Sequence, residues 1–336
     1  MKTIRRVLYP FSLIYKAVAS IRNYFFDTNL FTSQSYAIPI IAVGNLSVGG
    51  TGKTPQIEYL IRLLKNYKLA TISRGYKRKT KGMLIANSIH TAADLGDEPF
   101  QFHTKFPEVN VVVSANRVEA INYLLEQKNS PDIILLDDAM QHRKVKAGFY
   151  VMLTAFDDFF YDDLVLPAGN LRESKYGAHR ATCIVVTKCP DNLDELLAQK
   201  IRTKIEKYAP KVPVYFSKIS YDSFVYNDTS QISLSALPEN YILLAGIAKP
   251  KPFFKKLQTG NILTFEYPDH YDFKPQDIHQ IMNQANGKLI ITTEKDYMRL
   301  RGKIPANQLF YLPIQSEFLF SDSFYFDQQI IQFLSH

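Results

Sequence analysis

IAVGNLSVGGTGKTP, residues Ile41 to Pro55, carries an apolar run into a glycine-rich loop that closes on Gly-Lys-Thr. Helically spaced apolar residues follow it from Thr54 to Asn66. Ser47, Val48, Gly49, Gly50, Thr51, Gly52, Lys53 and Thr54 keep the spacing of a phosphate-binding loop, with Ser47 at the place of the first glycine. Gly49, Gly50 and Gly52 let backbone N–H groups approach phosphate oxygens. Lys53 adds positive charge, and the Thr54 hydroxyl suits Mg²⁺. A partition-type ATPase would carry Lys where Val48 stands, which weakens that reading.

Outward from the loop, extended runs alternate with helical ones. Leu69–Ser73, Met83–Ala86, Asn110–Val113, Asp132–Leu136, Phe149–Leu153 and Thr182–Thr187 read as strands, and Arg117–Gln127 as a helix. This predicts an α/β fold, a parallel sheet flanked by helices, with ligands at the carboxyl ends of its strands. After the extended run Val212–Ile219 a second, smaller α/β pattern begins. It has strands at Tyr241–Ala245, Leu263–Tyr267 and Lys288–Thr292 and a helix at Pro275–Ala285. Leu309–Pro313 is a further extended run that can pair with the first as a two-stranded connector. The expected divisions are 1–30, 31–211, 222–307, linker strands in 212–221 and 308–316, and a C-terminal helix within 317–336 that returns to the first domain.

The N-terminal segment MKTIRRVLYPFSLIYKAVASIRNYFF places Ile4, Val7, Leu8, Phe11, Ile14, Tyr15, Val18, Ile21 and Phe25 on one helical face. Lys2, Arg5, Arg6, Lys16 and Arg22 against Asp27 give residues 1–30 a charge of +4. Lys16 and Arg22 interrupt any spanning window, and Pro10 and Ser12 break the apolar stretch a secretory signal needs. A basic amphipathic helix suits an anionic membrane surface; a helix packed on its own domain is the alternative.

The chain has 336 residues, 46% of them hydrophobic, and a net charge of +8, which favours anionic partners without choosing among them. No nucleic-acid motif accompanies that charge. Cys183 and Cys189 match no zinc spacing and read as buried thiols of a protein in a reducing compartment.

Five other stretches carry chemistry. DIILLDDAMQH is an apolar strand ending in Asp137 and Asp138, a candidate Mg²⁺ holder or a loop cap. LGDEP offers Asp97 as acceptor of a hydroxyl proton, or a turn. YPDHYDF pairs Asp269 with His270, a tuned base or a solvated turn. SRGYKRK and PAGNLRE each set an Arg beside small residues, suited to phosphate or sugar hydroxyls, or to a surface charge run.

Taken in order, VGNLSVGGTGKTP, SRGYKRK, GDEP, SANRVEA, LDDAMQH, PAGNLRE, VTK, GIAKP, DHYDF and TEKD resemble the tetraacyldisaccharide 4′-kinase family of lipid A biosynthesis, from Ile41 to Asp296. The resemblance implies a P-loop NTPase-like domain joined through two strands to a smaller domain. It implies transfer of the γ-phosphate of ATP, with Mg²⁺, to the 4′-hydroxyl of a tetraacyldisaccharide 1-phosphate at the cytoplasmic face of a Gram-negative inner membrane. By motif, Asp97 is the base and His270 orients it. Lys53 and Thr54 hold phosphates and Mg²⁺, and Asp137 and Asp138 manage the metal. Arg74, Tyr76, Arg117, Gln141, His142, Asn170, Arg172, Glu173, Thr293 and Glu294 line the site. Ala139 stands where the family usually has Gly, and Tyr271 where it often has a second His. The expected partners are the lipid acceptor and an anionic membrane surface, with no nucleic acid and a monomeric chain. Closure of the two domains on ATP is a further expectation. Two other classes fit the phosphate loop alone: a soluble kinase or ligase for a small metabolite, and a nucleotide-dependent switch.

Overall fold

The computed structural model describes residues 5–258 and 262–335. Lys2 and Ile4, part of the N-terminal helical pattern, lie outside the described residues, as does His336.

The strands in chain order are β1 (Ile40–Asn45), β2 (Leu69–Ser73), β3 (Leu84–Ile85), β4 (Asn110–Val113), β5 (Ile133–Asp137), β6 (Phe149–Ala155), β7 (Cys183–Thr187), β8 (Val214–Tyr221), β9 (Phe224–Tyr226), β10 (Gln231–Ser233), β11 (Ile242–Ala245), β12 (Leu263–Glu266), β13 (Ile290–Thr293), β14 (Leu309–Leu312) and β15 (Ile314–Phe318). One sheet has the order β15-β8-β7-β6-β1-β5-β2-β4-β3 and is parallel except at its edges, where β15 and β3 run antiparallel to their neighbours. The other has the order β10-β9-β14-β13-β11-β12, with its last four members parallel.

The alternation of side chains along β1 explains how the larger sheet is covered. Ile41 and Val43 pack with Ile57, Leu60 and Ile61 of the helix after the phosphate loop, and with Phe326 and Ile330 of the C-terminal helix Asp322–Leu334. Ile40 and Ala42 point the other way, onto Ile121 and Leu124 of the helix Arg117–Glu126. Both faces are buried, which is why these strands read as unbroken apolar runs. β8 leads out of this sheet and β15 leads back, paired from Ile314 opposite Tyr221 to Phe318 opposite Ser217.

The structure adds elements that the sequence reading passed over. Asp97 and Glu98, expected in a turn, open the helix Asp97–Lys105, with Pro99 in its first turn where a missing N–H costs nothing. Glu294–Leu300 and Glu195–Glu206 are helices. The polar run after Tyr226 is the turn of the β9–β10 hairpin, tied by Asn227 Oδ1 accepting from Thr229 N and Ser230 N. Leu95 and Phe100, beside and within the helix Asp97–Lys105, share one buried cluster with Ile242, Phe273 and Tyr297 of the smaller unit. Cys183 and Cys189 are buried free thiols, and burial raises the pKa of both.

Candidate active site

Parallel register brings the chemistry to one edge. Val43 lies beside Asp137 across the β1–β5 pair, so the phosphate loop and the acidic pair leave the sheet together. The carboxyl ends of β2 at Ser73 and β7 at Thr187 belong to the same edge.

Gly52 caps the helix Lys53–Leu63 at φ 84°, a left-handed conformation that side chains resist, and no side chain caps the helix start. The first N–H groups of that helix therefore remain available to an anion. A segment of PAGNLRE runs alongside the loop: Val48 N donates to Asn170 O at 2.7 Å, and Arg172 N donates to Leu46 O at 2.7 Å. Thr187 Oγ1 donates to Thr51 O at 2.7 Å, and Lys188 Nζ donates to Gly50 O. Burial, with Lys249, Lys295 and Lys53 nearby, brings the Lys188 ammonium down to about 8. Among the described residues, the buried side-chain polar atoms of Asn45 and the Thr51 hydroxyl have no protein partner. Orphan donors, a glycine cradle and clustered lysines fit a nucleotide triphosphate.

Asp137 and Asp138 diverge. Asp137 accepts from Ser73 Oγ at 3.2 Å, and burial beside Asp138 pushes its carboxyl up to about 6. Asp138 turns at φ 51° and lies 3.5 Å from Lys53 Nζ and 2.8 Å from Arg172 Nη1. Burial raises the pKa of Asp138, but Lys53 and Arg172 outweigh it and hold the group below its usual range. The left-handed residue is thus Asp138, not Ala139, so alanine fits where a glycine was expected to matter. Among the described residues no three His, Cys, Asp or Glu side chains form a metal cluster. A hydroxyl and one or two carboxylates fit Mg²⁺, which keeps several waters and phosphate oxygens as ligands.

A polar brace ties this edge to the N-terminal helix Tyr9–Asp27. Gln141 Nε2 donates to Asn45 O at 3.0 Å and to Glu173 Oε1 at 2.8 Å, while Gln141 Oε1 accepts from Arg172 at 3.2 Å. Glu173 is buried against Arg180 and accepts from Asn23 Nδ2 at 2.7 Å. Arg22 donates to Gln141 O at 3.0 Å, and Arg5 donates to Asn170 Oδ1 at 2.9 Å. Ala168 N donates to the buried Ser12 Oγ at 2.9 Å.

Across the cleft stands the carboxyl edge of the smaller sheet. His270, in the loop after β12 with φ 59°, brings Nδ1 to 2.8 Å from Asp97 Oδ2. Arg299 Nε donates to Asp97 Oδ1 at 3.0 Å and its Nη2 to Oδ2. Lys295 pairs with Glu98. Burial favours a neutral Asp97, but the hydrogen bonds of His270 and Arg299 and the Arg299 charge outweigh it, holding the carboxyl well below the usual range. An ionised carboxylate beside a histidine can take a proton from a hydroxyl.

Several expected residues lie elsewhere. Tyr76 reaches this group, its ring 5.7 Å from that of His270, and with Arg74 it lines a basic hollow that includes Lys77, Arg78 and Lys81. Arg117 is 2% exposed, and its guanidinium donates to Ser114 O and Asp137 O, so it braces the end of the acidic strand. His142 Nε2 is buried without a partner among the described residues; burial and nearby Arg117 bring the ring down to about 4. Thr293 caps the helix Glu294–Leu300 through Asp296, and Glu294 turns away to Lys105 at 2.7 Å. Tyr271 stacks on Tyr267 and donates to Asp277, away from Asp97. The sequence reading missed Lys188, Lys295 and Arg299. Lys188 had a signal, since it follows the apolar run of β7 as Asp137 ends that of β5.

The family model described as Tetraacyldisaccharide-1-P 4′-kinase (LpxK) matches residues 4–335. A tetraacyldisaccharide 4′-kinase of Flavobacterium johnsoniae is 52% identical over 336 residues, covering 99% of this chain and 98% of that protein. One from Bacteroides thetaiotaomicron is 42% identical over 356 residues, covering 98% and 93%. A crystal structure of LpxK from Aquifex aeolicus in complex with ATP is similar with a TM-score of 0.80 at 30% identity, covering 98% of this chain and 99% of that one. With a family model matched from end to end and relatives similar over nearly their whole length, the chain belongs to the tetraacyldisaccharide 4′-kinase family.

Proposed function

We propose that this protein phosphorylates the 4′-hydroxyl of a tetraacyldisaccharide 1-phosphate with ATP, the step of lipid A biosynthesis that yields lipid IVA. The observation that carries the reading is the Asp97–His270 contact, which sets an ionised carboxylate of the unit that holds the phosphate loop against a histidine of the smaller unit.

In this reading Ser47, Val48, Gly49, Gly50, Thr51 and Gly52 cradle the triphosphate, and Lys53 and Lys188 neutralise it. Thr54, Asp137 and Asp138 would hold Mg²⁺, which when bound spreads charge from the phosphate oxygens. Arg172, fixed by Asp138 and Gln141, keeps the acidic pair oriented. The 4′-oxygen forms a bond to the γ-phosphorus as the bond to the β,γ-bridging oxygen breaks. The hydroxyl proton passes to Asp97, and ADP leaves. Such a transfer asks mainly for positioning and charge stabilisation, so a carboxylate of low basicity suffices as a late proton acceptor. Residues 31–211 and 222–307 act as the two jaws, joined by β8 and β15; Leu309–Leu312, expected to pair with the first extended run as part of the connector, pairs instead with β13 of the smaller sheet. Asp97 and His270 already touch, so closure serves to exclude water and not to assemble the pair.

The same reading sets the enzyme at the cytoplasmic face of an inner membrane, as a peripheral or monotopic monomer. Phe11, Ile14, Val18 and Ile21 form a stripe on the N-terminal helix, each more than half exposed, and Val7 of the preceding 3-10 turn is also exposed, while Ser12 and Asn23 of the helix bond to the segment beside the phosphate loop. No described helix is long and apolar enough to cross a membrane. An apolar stripe with flanking Lys16 and Arg22 suits the headgroup region of an anionic bilayer. The acceptor's acyl chains would then stay in lipid while its sugar reaches the cleft.

Nuclear magnetic resonance of the product tests the reading. A new phosphate coupled to the proton on the 4′ carbon supports it. ATP hydrolysis without a phosphorylated lipid, or phosphate at another hydroxyl, contradicts it.

A further inference from the structure

Arg299 belongs to none of the recognised motifs, yet three of its nitrogens are committed at the mouth of the cleft. Nε donates to Asp97 Oδ1 at 3.0 Å, Nη2 to Asp97 Oδ2, and Nη1 to Asp296 Oδ1 at 3.0 Å. Asp296 is itself fixed. It is fully buried and accepts from Gly246 N at 2.8 Å and Thr293 Oγ1 at 2.6 Å. A Cβ on Gly246 would meet Asp296 Oδ1 at 3.0 Å, so that close approach needs glycine. A rigid chain therefore runs from the ends of β11 and β13 through Asp296 and Arg299 to Asp97.

An ionised carboxylate has about four lone-pair sites. Among the described residues, Oδ2 is occupied by Arg299 and His270, and Oδ1 by Arg299 Nε alone. We infer that Arg299 is a positioning residue for phosphoryl transfer: it fixes the plane of the Asp97 carboxylate and keeps it ionised, leaving one lone pair of Oδ1 for the sugar hydroxyl. This rests on the proposed role of Asp97 as base.

Arg299 and His270 are what hold Asp97 below its usual range against burial. With Arg299 neutral, the burial remains and Asp97 takes up a proton at higher pH. A protonated Asp97 cannot accept the hydroxyl proton. The other charged groups near Asp97 are the Glu98–Lys295 pair, Asp296 and Asp269, with the titratable His270 beside them. All of them persist in an Arg299 variant, so the ratio of variant to wild-type turnover isolates Arg299.

The test uses the full chain in detergent micelles with ATP-Mg²⁺ and tetraacyldisaccharide 1-phosphate. Turnover and KM for ATP are measured from about pH 5.5 to about pH 8, spanning the region above ordinary carboxylate pKa values. Arg299→Met is expected to lower kcat about 10- to 100-fold at the upper end, with KM for ATP within about twofold of wild type. Its kcat relative to wild type should fall a further threefold or more, roughly, toward the acid end. A flat ratio, or a KM that rises as much as kcat falls, overturns the inference. If Arg299→Met does not fold, Arg299→Lys decides, because it keeps charge but loses the fork. It should lose roughly 3- to 10-fold in kcat at unchanged KM, and wild-type kcat overturns the inference. Asp97→Asn is run alongside. Its turnover at wild-type rate removes the base reading itself, whereas an inactive Asp97→Asn with a flat Arg299 ratio removes only the role of Arg299.

Discussion

His270 Nδ1 stands 2.8 Å from Asp97 Oδ2, although 173 residues separate the two in sequence. One belongs to the helix that follows the larger sheet's basic loop, the other to the loop after β12 of the smaller sheet. The pair exists only because the carboxyl edges of two sheets face each other.

That dependence predicts coupling. Asp97→Asn should lower kcat by about 10²- to 10⁴-fold, and His270→Ala by less, with ATP binding retained in both. The double variant should be little worse than Asp97→Asn, because His270 acts through Asp97. Fully additive losses in a double-mutant cycle would show that the two residues act independently.

Lys188 predicts proton uptake on nucleotide binding. Its ammonium is brought down to about 8 by burial and neighbouring lysines, so it is partly neutral near pH 8. A bound polyphosphate favours the charged form, so binding near that pH takes up a fraction of a proton, and affinity weakens as pH rises through 8. Calorimetry in buffers of different ionisation heat measures the uptake. Lys188→Met should abolish it and weaken ATP by roughly tenfold. Unchanged proton uptake in Lys188→Met would exclude this lysine as its source.

Glu294 predicts a pH-dependent stability. Burial, and then the charge of Glu58, push its carboxyl up to about 7 even though Lys105 bridges both. The folded-state pKa is raised, so the contribution is fully present below the unfolded value and is lost as pH rises through about 7. The loss is up to roughly 3 kcal/mol between the unfolded range and neutrality. Glu294→Gln should flatten the fall in melting temperature from pH 5 to 8. An identical slope in the variant would place the titration elsewhere. Lys105→Met should cost roughly 3 kcal/mol by leaving the buried Glu294 without its cation, while Glu58 keeps Arg62.

The stripe on the N-terminal helix predicts separable membrane binding. Ile14 and Val18 are each 63% exposed, so Ile14→Asp with Val18→Asp should leave the melting temperature unchanged. Sedimentation with anionic vesicles should fall by at least about tenfold, and wild-type binding should weaken with salt. Equal sedimentation of the two proteins would rule out the stripe as the docking face.

The parallel core of the larger sheet, β11, β12 and β13 of the smaller one and the position of the phosphate loop were legible because local patterns determine them, whereas β14 read as part of the connector and β9 and β10 were passed over. β1, β2, β4, β5 and β7 are buried on both faces and flanked by glycine-rich or polar loops. Asp137 and Lys53 were legible for the same reason, each standing at a strand end or helix start. Side-chain direction was not legible. Arg117 and Glu294 read as site residues by motif, but the bonds that direct them, Arg117 to Asp137 O and Glu294 to Lys105, join separate elements. Arg299 escaped notice because the helix that carries it, Glu294–Leu300, was itself passed over. Its partner Asp97 lies 202 residues away, and no local pattern records that distance.

The most direct test is transfer of labelled γ-phosphate from ATP-Mg²⁺ to tetraacyldisaccharide 1-phosphate in detergent micelles, by wild type and by Asp97→Asn. The account predicts acceptor-dependent label in the lipid with wild type, and its loss in the variant while ATP binding persists. Labelled lipid from Asp97→Asn at the wild-type rate, or none from a wild-type protein that binds ATP, would contradict it.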